Sequence, residues 1–139
     1  MSFSITPGAF YFLTGPSGSG KTTFLKLCYG ALTATSGIVS LFGNSRASMS
    51  RDEIAIARRK IGVVHQDCQF LDHLSVMENI ALPLEVAGQD RLSDQMNLKE
   101  LLAWVGLNKR AEAYPPELSG GERQRAALAR AIIMSPDII

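Results

Sequence analysis

The sequence predicts an α/β fold with a largely parallel sheet, and three observations predict it. A short apolar run, Ala9 to Thr14, leads into a glycine-rich loop and then into residues with helical periodicity. Two further runs, Gly37–Gly43 and Ile61–His65, read as strands that alternate with helical segments. The second half of the chain is helical in character, without the alternation of a half-buried sheet. A length of 139 residues suits one domain with its own core.

Each element has a local reason. Ala9 to Thr14 is apolar, aromatic and short, as a buried strand is. From Lys21 to about Leu32 the apolar residues Phe24, Leu25, Cys28 and Leu32 recur at helical spacing on one face. GIVSLFG, Gly37–Gly43, lies between turn signals and reads as a strand. A helix is predicted over Arg51–Lys60, where Ser50 and Glu53 make a capping-box pattern. IGVVH, Ile61–His65, is the next strand. Ser75 and Glu78 form a second capping box ahead of Val76, Ile80, Leu82 and Leu84, and Pro83 is expected to kink or interrupt that helix. Asn97–Val105 places Leu98, Leu101, Leu102 and Val105 on one side. Tyr114-Pro115-Pro116 breaks the pattern, and Ser119 opens a last helix to about Ser135. That helix delivers into Asp137-Ile138-Ile139, the start of a strand. The sequence therefore reads as a piece of a longer chain, one expected to be unstable in isolation because its sheet lacks a central strand.

Composition narrows the classes. Hydrophobic residues are 46% and charged residues 19%, a globular balance, and the net charge of +1 gives no field that favours nucleic acid or an anionic membrane. No apolar run approaches the length of a membrane span, and MSFSITPG lacks a signal-peptide layout, so a cytosolic chain is expected. Cys28 and Cys68 match no metal or redox spacing and read as reduced structural thiols.

GPSGSGKT, Gly15 to Thr22, fits G-x-x-x-x-G-K-[ST] at every fixed position, a phosphate-binding P-loop. A phosphate chain needs several converging backbone N–H groups, and glycines let the loop curl around them. The following helix adds its N-terminal amides and dipole. Lys21 is placed to reach the β and γ phosphates, and the Thr22 hydroxyl to ligate Mg2+. A chance match of the four fixed positions is on the order of one in ten thousand windows.

LSGGERQR, Leu118 to Arg125, is the second motif. Ser119 as N-cap and Glu122 as its capping-box partner explain part of it. Two consecutive glycines are unnecessary for a helix start and cost stability. Their use is backbone exposure, with free amides at a positive helix end open to a phosphate. A second anion site far along the chain suggests a nucleotide shared between two copies.

Together these stretches resemble the ATP-binding-cassette (ABC) ATPases. GPSGSGKT resembles their Walker A motif, LSGGERQR their signature, and Gln66 in VVHQD their Q-loop, in the family's order and over essentially the whole chain. The resemblance implies a P-loop NTPase core, residues 1–66 up to the Q-loop. A helical subdomain over 67–118, and the signature helix with the start of the Walker B strand over 119–139, complete one partial ATP-binding domain. It implies that Gly15, Pro16, Ser17, Gly18, Ser19, Gly20, Lys21, Thr22 and Thr23 hold ATP. Lys21 would stabilise γ-phosphate charge. Thr22 and Gln66 would ligate Mg2+, with Gln66 also sensing the γ-phosphate. Ser119, Gly120, Gly121 and Glu122 would form the signature site, Ser119 to Gly121 touching ATP held by the opposite subunit of a head-to-tail homodimer. Residues 67–84 would lie in the helical subdomain that receives the coupling helix of a membrane partner. Arg123, Gln124 and Arg125 continue the signature helix, where a solvated face explains the arginines equally well.

The run QDCQFLDHLSVMENIALPL, Gln66 to Leu84, resembles the cell-division branch of the family, whose members work with an integral inner-membrane partner at the cytoplasmic face. The lipoprotein-release and macrolide-export branches share the ENxAxPL and LSGGERQR elements. The resemblance also implies that the adenine-stacking strand precedes this chain and that Met1 is an internal start. The Walker B Asp, the catalytic Glu, the D-loop and the switch His would follow Ile139. His65 and His73 match none of these and read as structural or exposed. A non-hydrolysing nucleotide-binding module is the competing reading if the chain ends at Ile139. A P-loop kinase or GTPase fits poorly, because LSGGE has no place there and no NKxD motif occurs.

Overall fold

A computed structural model describes residues 2–89 and 91–139, without the side chains of 91–96. Met1, read above as an internal start, lies outside the described residues. The chain forms two compact units, Met1–Ser48 and Met49–Ile139.

In the first unit, Ala9 to Thr14 forms no strand and its side chains are exposed, Phe10 by 82% and Phe12 by 84%. This corrects the expectation of a buried strand. A strand is stable only against neighbours, and no described segment pairs with this one. Its aromatic rings instead pack on one another and on nearby rings. Phe10 meets Phe12 edge to face at 5.0 Å, and Phe3 meets Tyr11 at 5.1 Å and Phe24 at 5.6 Å. The loop Gly15–Gly20 then leads into α1, Lys21–Cys28. That helix is shorter than predicted and fully buries none of its residues. Gly30, at φ 72°, turns the chain in the left-handed region, and the amides of Ala31 and Leu32 fold back onto the Lys26 carbonyl. Of Gly37–Gly43, only Ser40–Leu41 is strand. This β1 pairs antiparallel with β2, Asn44–Ser45, through a two-residue turn at Phe42 and Gly43. Both turn residues have positive φ, 49° and 83°, as a type I′ hairpin requires.

The second unit holds the core. Helix α2, Arg51–Arg59, has the Ser50/Glu53 capping box in place. Ile61–His65 is reduced from the expected strand to a single parallel bridge, Ile61 to Ile138. The Gly62 amide donates to the Ile138 carbonyl at 2.7 Å. The largely parallel ladder is therefore represented by this bridge, because a parallel strand needs partners from distant sequence. Helix α3, Val76–Val86, starts at the Ser75/Glu78 box. Pro83 does not interrupt it. Ile80 and Ala81 pack into the core with residues of the helices that follow, Leu84 is buried as well, and that burial outweighs the lost amide. Helix α4, Arg91–Trp104, begins six residues earlier than predicted. It ends in a Schellman motif at Gly106, with the Leu107 amide on the Leu102 carbonyl at 2.7 Å. Tyr114-Pro115-Pro116 is a break that carries one 3₁₀ turn, Pro115–Glu117. Helix α5, Gly120–Ile132, stops three residues short of Ser135. Val76, Ile80, Leu98, Leu102, Val105, Leu107, Leu118, Ala126 and Ala129 interlock as the core of α3, α4 and α5. The small alanines of α5 let α3 approach closely.

Candidate nucleotide site

The loop from Gly15 to Gly20 is shaped by its glycines. Gly18 and Gly20 sit at φ 79° and 89°, a backbone that L side chains rarely adopt. Gly20 is the N-cap of α1 and offers no side chain to it. Helices α2, α3 and α5 each begin with a serine whose hydroxyl accepts a first-turn amide. The amides of Lys21, Thr22 and Thr23 have no partner among the described residues. They point their partial positive charge into the loop. Lys21 adds a full charge there. Its Nζ donates to the carbonyls of Gly15 at 2.8 Å and Pro16 at 2.7 Å, and lies 3.4 Å from Ser19 Oγ. Those carbonyls hold the ammonium against the loop. The whole loop, with Ser17, Ser19 and Thr22, is exposed.

Gln66 lies in the second unit and is exposed. The Cys68 amide donates to the His65 carbonyl at 3.1 Å, which closes a turn with Gln66 and Asp67 at its corners. Cys68 and Gln69 follow at φ 59° and 41°. His65 is half-buried and His73 exposed. Cys28 and Cys68 are both free thiols, and burial pushes the Cys28 thiol up. Among the described residues, no three His, Cys, Asp or Glu side chains gather as a metal cluster. Thr22 and Gln66 are both exposed, and each carries a side-chain oxygen of the hard donor type that Mg2+ takes.

The signature residues open α5. Ser119 Oγ accepts the Glu122 amide at 3.3 Å, and its hydroxyl donates to Glu122 Oε2 at 2.7 Å. The Ser119 amide donates to the same oxygen at 2.9 Å. These Ser119 bonds, with Arg110 Nε at 3.1 Å from Oε1, hold the Glu122 carboxyl down to about 2. The Gly120 and Gly121 amides face no acceptor among the described residues. A Cβ on Gly120 would meet nothing within 4 Å, and one on Gly121 only Arg125 Nη1 at 3.6 Å. Neither glycine has positive φ. Packing and backbone shape therefore explain neither glycine.

Four residues were missed or left open by the sequence reading. Arg125 Nε donates to the Val105 carbonyl at 2.9 Å and Arg123 Nη1 to the Pro115 carbonyl at 3.4 Å. A merely solvated face does not account for these bonds. Arg110 pairs with Glu122, and Arg130 grips the turn after Gln66. Their partners lie 8 to 62 residues away, so no local pattern marks them.

A family model described as "ABC transporter" matches residues 1–139. The cell division ATP-binding protein FtsE of Bacillus subtilis (strain 168) is 41% identical over 139 residues, all of this chain and 61% of that protein. FtsE of Streptococcus pneumoniae D39 is 39% identical over 139 residues and is covered to 60%. A methionine import ATP-binding protein, MetN of Vibrio cholerae, is 39% identical over 135 residues, 97% of this chain and 39% of that protein. The dimeric structure of MJ0796, a bacterial ABC transporter cassette, superposes with a TM-score of 0.85 at 33% identity, over 96% of this chain and 60% of that one. This chain thus spans about 60% of the length of the FtsE relatives and only part of the cassette fold. The family model spans residues 1–139 and the cassette structure superposes over nearly all of the chain, so the chain belongs to the ABC transporter family, as part of its α/β ATP-binding cassette.

Proposed function

We infer that this chain is the nucleotide-holding part of an ATPase subunit, and residues 1–139 one partial ATP-binding domain. The observation that supports this most is the uncapped start of α1, with three amides that have no partner among the described residues and the Lys21 ammonium held on the loop carbonyls before it. Gly15 to Thr23 wrap the phosphates of ATP, and Lys21 exchanges its carbonyl partners for phosphate oxygens. Thr22 and Gln66 would hold Mg2+, which when bound neutralises charge that develops on the phosphates. The free amides of Gly120 and Gly121, with Ser119, bind the γ-phosphate of ATP carried by a second copy. ATP then joins a head-to-tail homodimer. The MJ0796 cassette is itself a dimer, which supports this arrangement.

The FtsE likeness supports a role in bacterial cell division, at the cytoplasmic face of the plasma membrane with an integral partner of FtsX type. No helix among the described residues is long and apolar enough to cross a membrane. A second reading, the ATPase of a methionine importer, is supported by MetN relatives at similar identity. Purification of the full-length protein with candidate membrane partners separates the two. Recovery with an FtsX-type partner supports the first, and recovery with an importer permease overturns it.

Hydrolysis of MgATP by the full-length protein tests the enzyme reading. Lys21→Ala is expected to abolish turnover. Wild-type turnover in that variant sinks the reading. Nucleotide binding without turnover in the full-length protein favours a non-hydrolysing module.

A further inference from the structure

Arg130 stands in the last turn of α5, and its guanidinium lies over three consecutive residues that follow Gln66. Nη2 donates to the Cys68 carbonyl, and Nη1 donates to the Gln69 carbonyl at 2.9 Å. Cζ lies 4.7 Å from the centre of the Phe70 ring. The group is half-buried, and burial pulls its pKa below the ordinary arginine value.

The segment it grips is strained. Cys68 and Gln69 occupy the left-handed region at φ 59° and 41° without being glycine, asparagine or aspartate. Such backbone persists only where its surroundings over-determine it. The strained pair ends and follows the turn closed from Cys68 N to His65 O, whose corners are Gln66 and Asp67. A planar fork with two parallel donors matches two adjacent carbonyls, which a lysine ammonium does not. The clamp therefore fixes the backbone two residues beyond Gln66.

We propose that Arg130 is a positioning residue, which locks the turn that presents Gln66 to the nucleotide's metal and terminal phosphate. The proposal rests on the ATPase reading for what Gln66 touches. The same helix begins at the Ser119–Gly121 site, about 15 Å away along its axis. A displacement of α5 therefore reaches the Gln66 turn through one side chain.

The test uses the full-length protein with Arg130→Lys and Arg130→Met, each alone and combined with Gln66→Ala. Arg130→Lys keeps the charge, so one variant folds even where the methionine variant does not. In Arg130→Lys, kcat for MgATP is expected to fall about tenfold or more, with KM changed less than about threefold, because the cradle residues are untouched. In the Gln66→Ala background the same substitution is expected to cost less than about twofold more. Independent, multiplicative losses in the double variant overturn the proposal, as does wild-type kcat in both single variants. Amide hydrogen exchange over residues 66–69 of the nucleotide-free protein supplies a readout without turnover. Faster exchange in Arg130→Lys is expected, and unchanged exchange overturns the clamp. If the wild-type protein hydrolyses no ATP, the ATPase reading fails and exchange alone decides on Arg130.

Discussion

Asn79 closes the loop ahead of α3 onto Leu71 with both halves of its amide. Oδ1 accepts the Leu71 amide at 2.9 Å, and Nδ2 donates to the Leu71 carbonyl at 3.0 Å. The same Nδ2 lies 2.9 Å from the Leu74 carbonyl and 3.0 Å from that of Ser75. Asn79 is fully buried in the first turns of α3. One side chain thus ties the segment that follows the Gln66 turn to the helical core.

Asn79→Ala is therefore expected to destabilise the full-length protein by about 2–3 kcal/mol, because it strands several polar backbone groups at once. Urea unfolding of the two proteins measures it. A loss below about 0.5 kcal/mol would show that water replaces the amide without cost.

Gly62 passes close to α5. A Cβ there would lie 2.5 Å from the Ala131 carbonyl oxygen and 3.0 Å from Pro136 Cγ. The nearest neighbour is backbone, and Gly62 directly follows the Ile61–Ile138 bridge. Gly62→Ala is expected to cost about 1–3 kcal/mol, read as a lower midpoint in the same unfolding experiment. An unchanged midpoint would contradict this.

Gly120→Ala should separate stability from activity. The added methyl meets nothing, and alanine gains up to about 1 kcal/mol over glycine in a helix. Thermal melting is expected at the wild-type temperature or above it, while MgATP turnover falls because the methyl crowds the free amides. Wild-type turnover would remove the case for an anion site at this helix end.

In the cradle, Gly18 has positive φ and open space around it. The cost of a side chain there is backbone strain alone, about 1–2 kcal/mol for most residues and less for asparagine. Gly18→Val is therefore expected to weaken nucleotide binding more than Gly18→Asn. Titration with a fluorescent ATP analogue measures both, and equal affinities would show that the loop adapts freely.

Glu122 sets an acid dependence. Its folded carboxyl is held down to about 2 by Ser119 and Arg110, well below its ordinary value. The stabilisation is then complete above the ordinary carboxylate range and is lost as pH falls through that range toward 2. Melting temperatures measured from pH 5 down to pH 2 should fall less steeply in Glu122→Gln than in the wild type. Parallel profiles would mean that the Glu122 contacts do not survive in solution.

Features whose causes lie within one helical turn were legible in the sequence. The three serine capping boxes at Ser50, Ser75 and Ser119 form with the glutamates that the spacing indicated. The GPSGSGKT loop has its glycines where positive φ is needed and a helix directly after it. Caps and turns act between neighbours, so they are legible without a fold. Features that depend on distant partners were settled by folding, not by local pattern. Ala9–Thr14 is apolar enough for a strand and is exposed, because strand formation depends on which segments lie alongside. Pro83 breaks a helix by local rules and sits inside one, because the buried face of α3 outweighs a missing hydrogen bond. Arg130, read only as part of the last helix, reaches back 62 residues to the Cys68 carbonyl. A long-range hydrogen bond is chosen by where the chain folds back, and no spacing along the sequence records that choice.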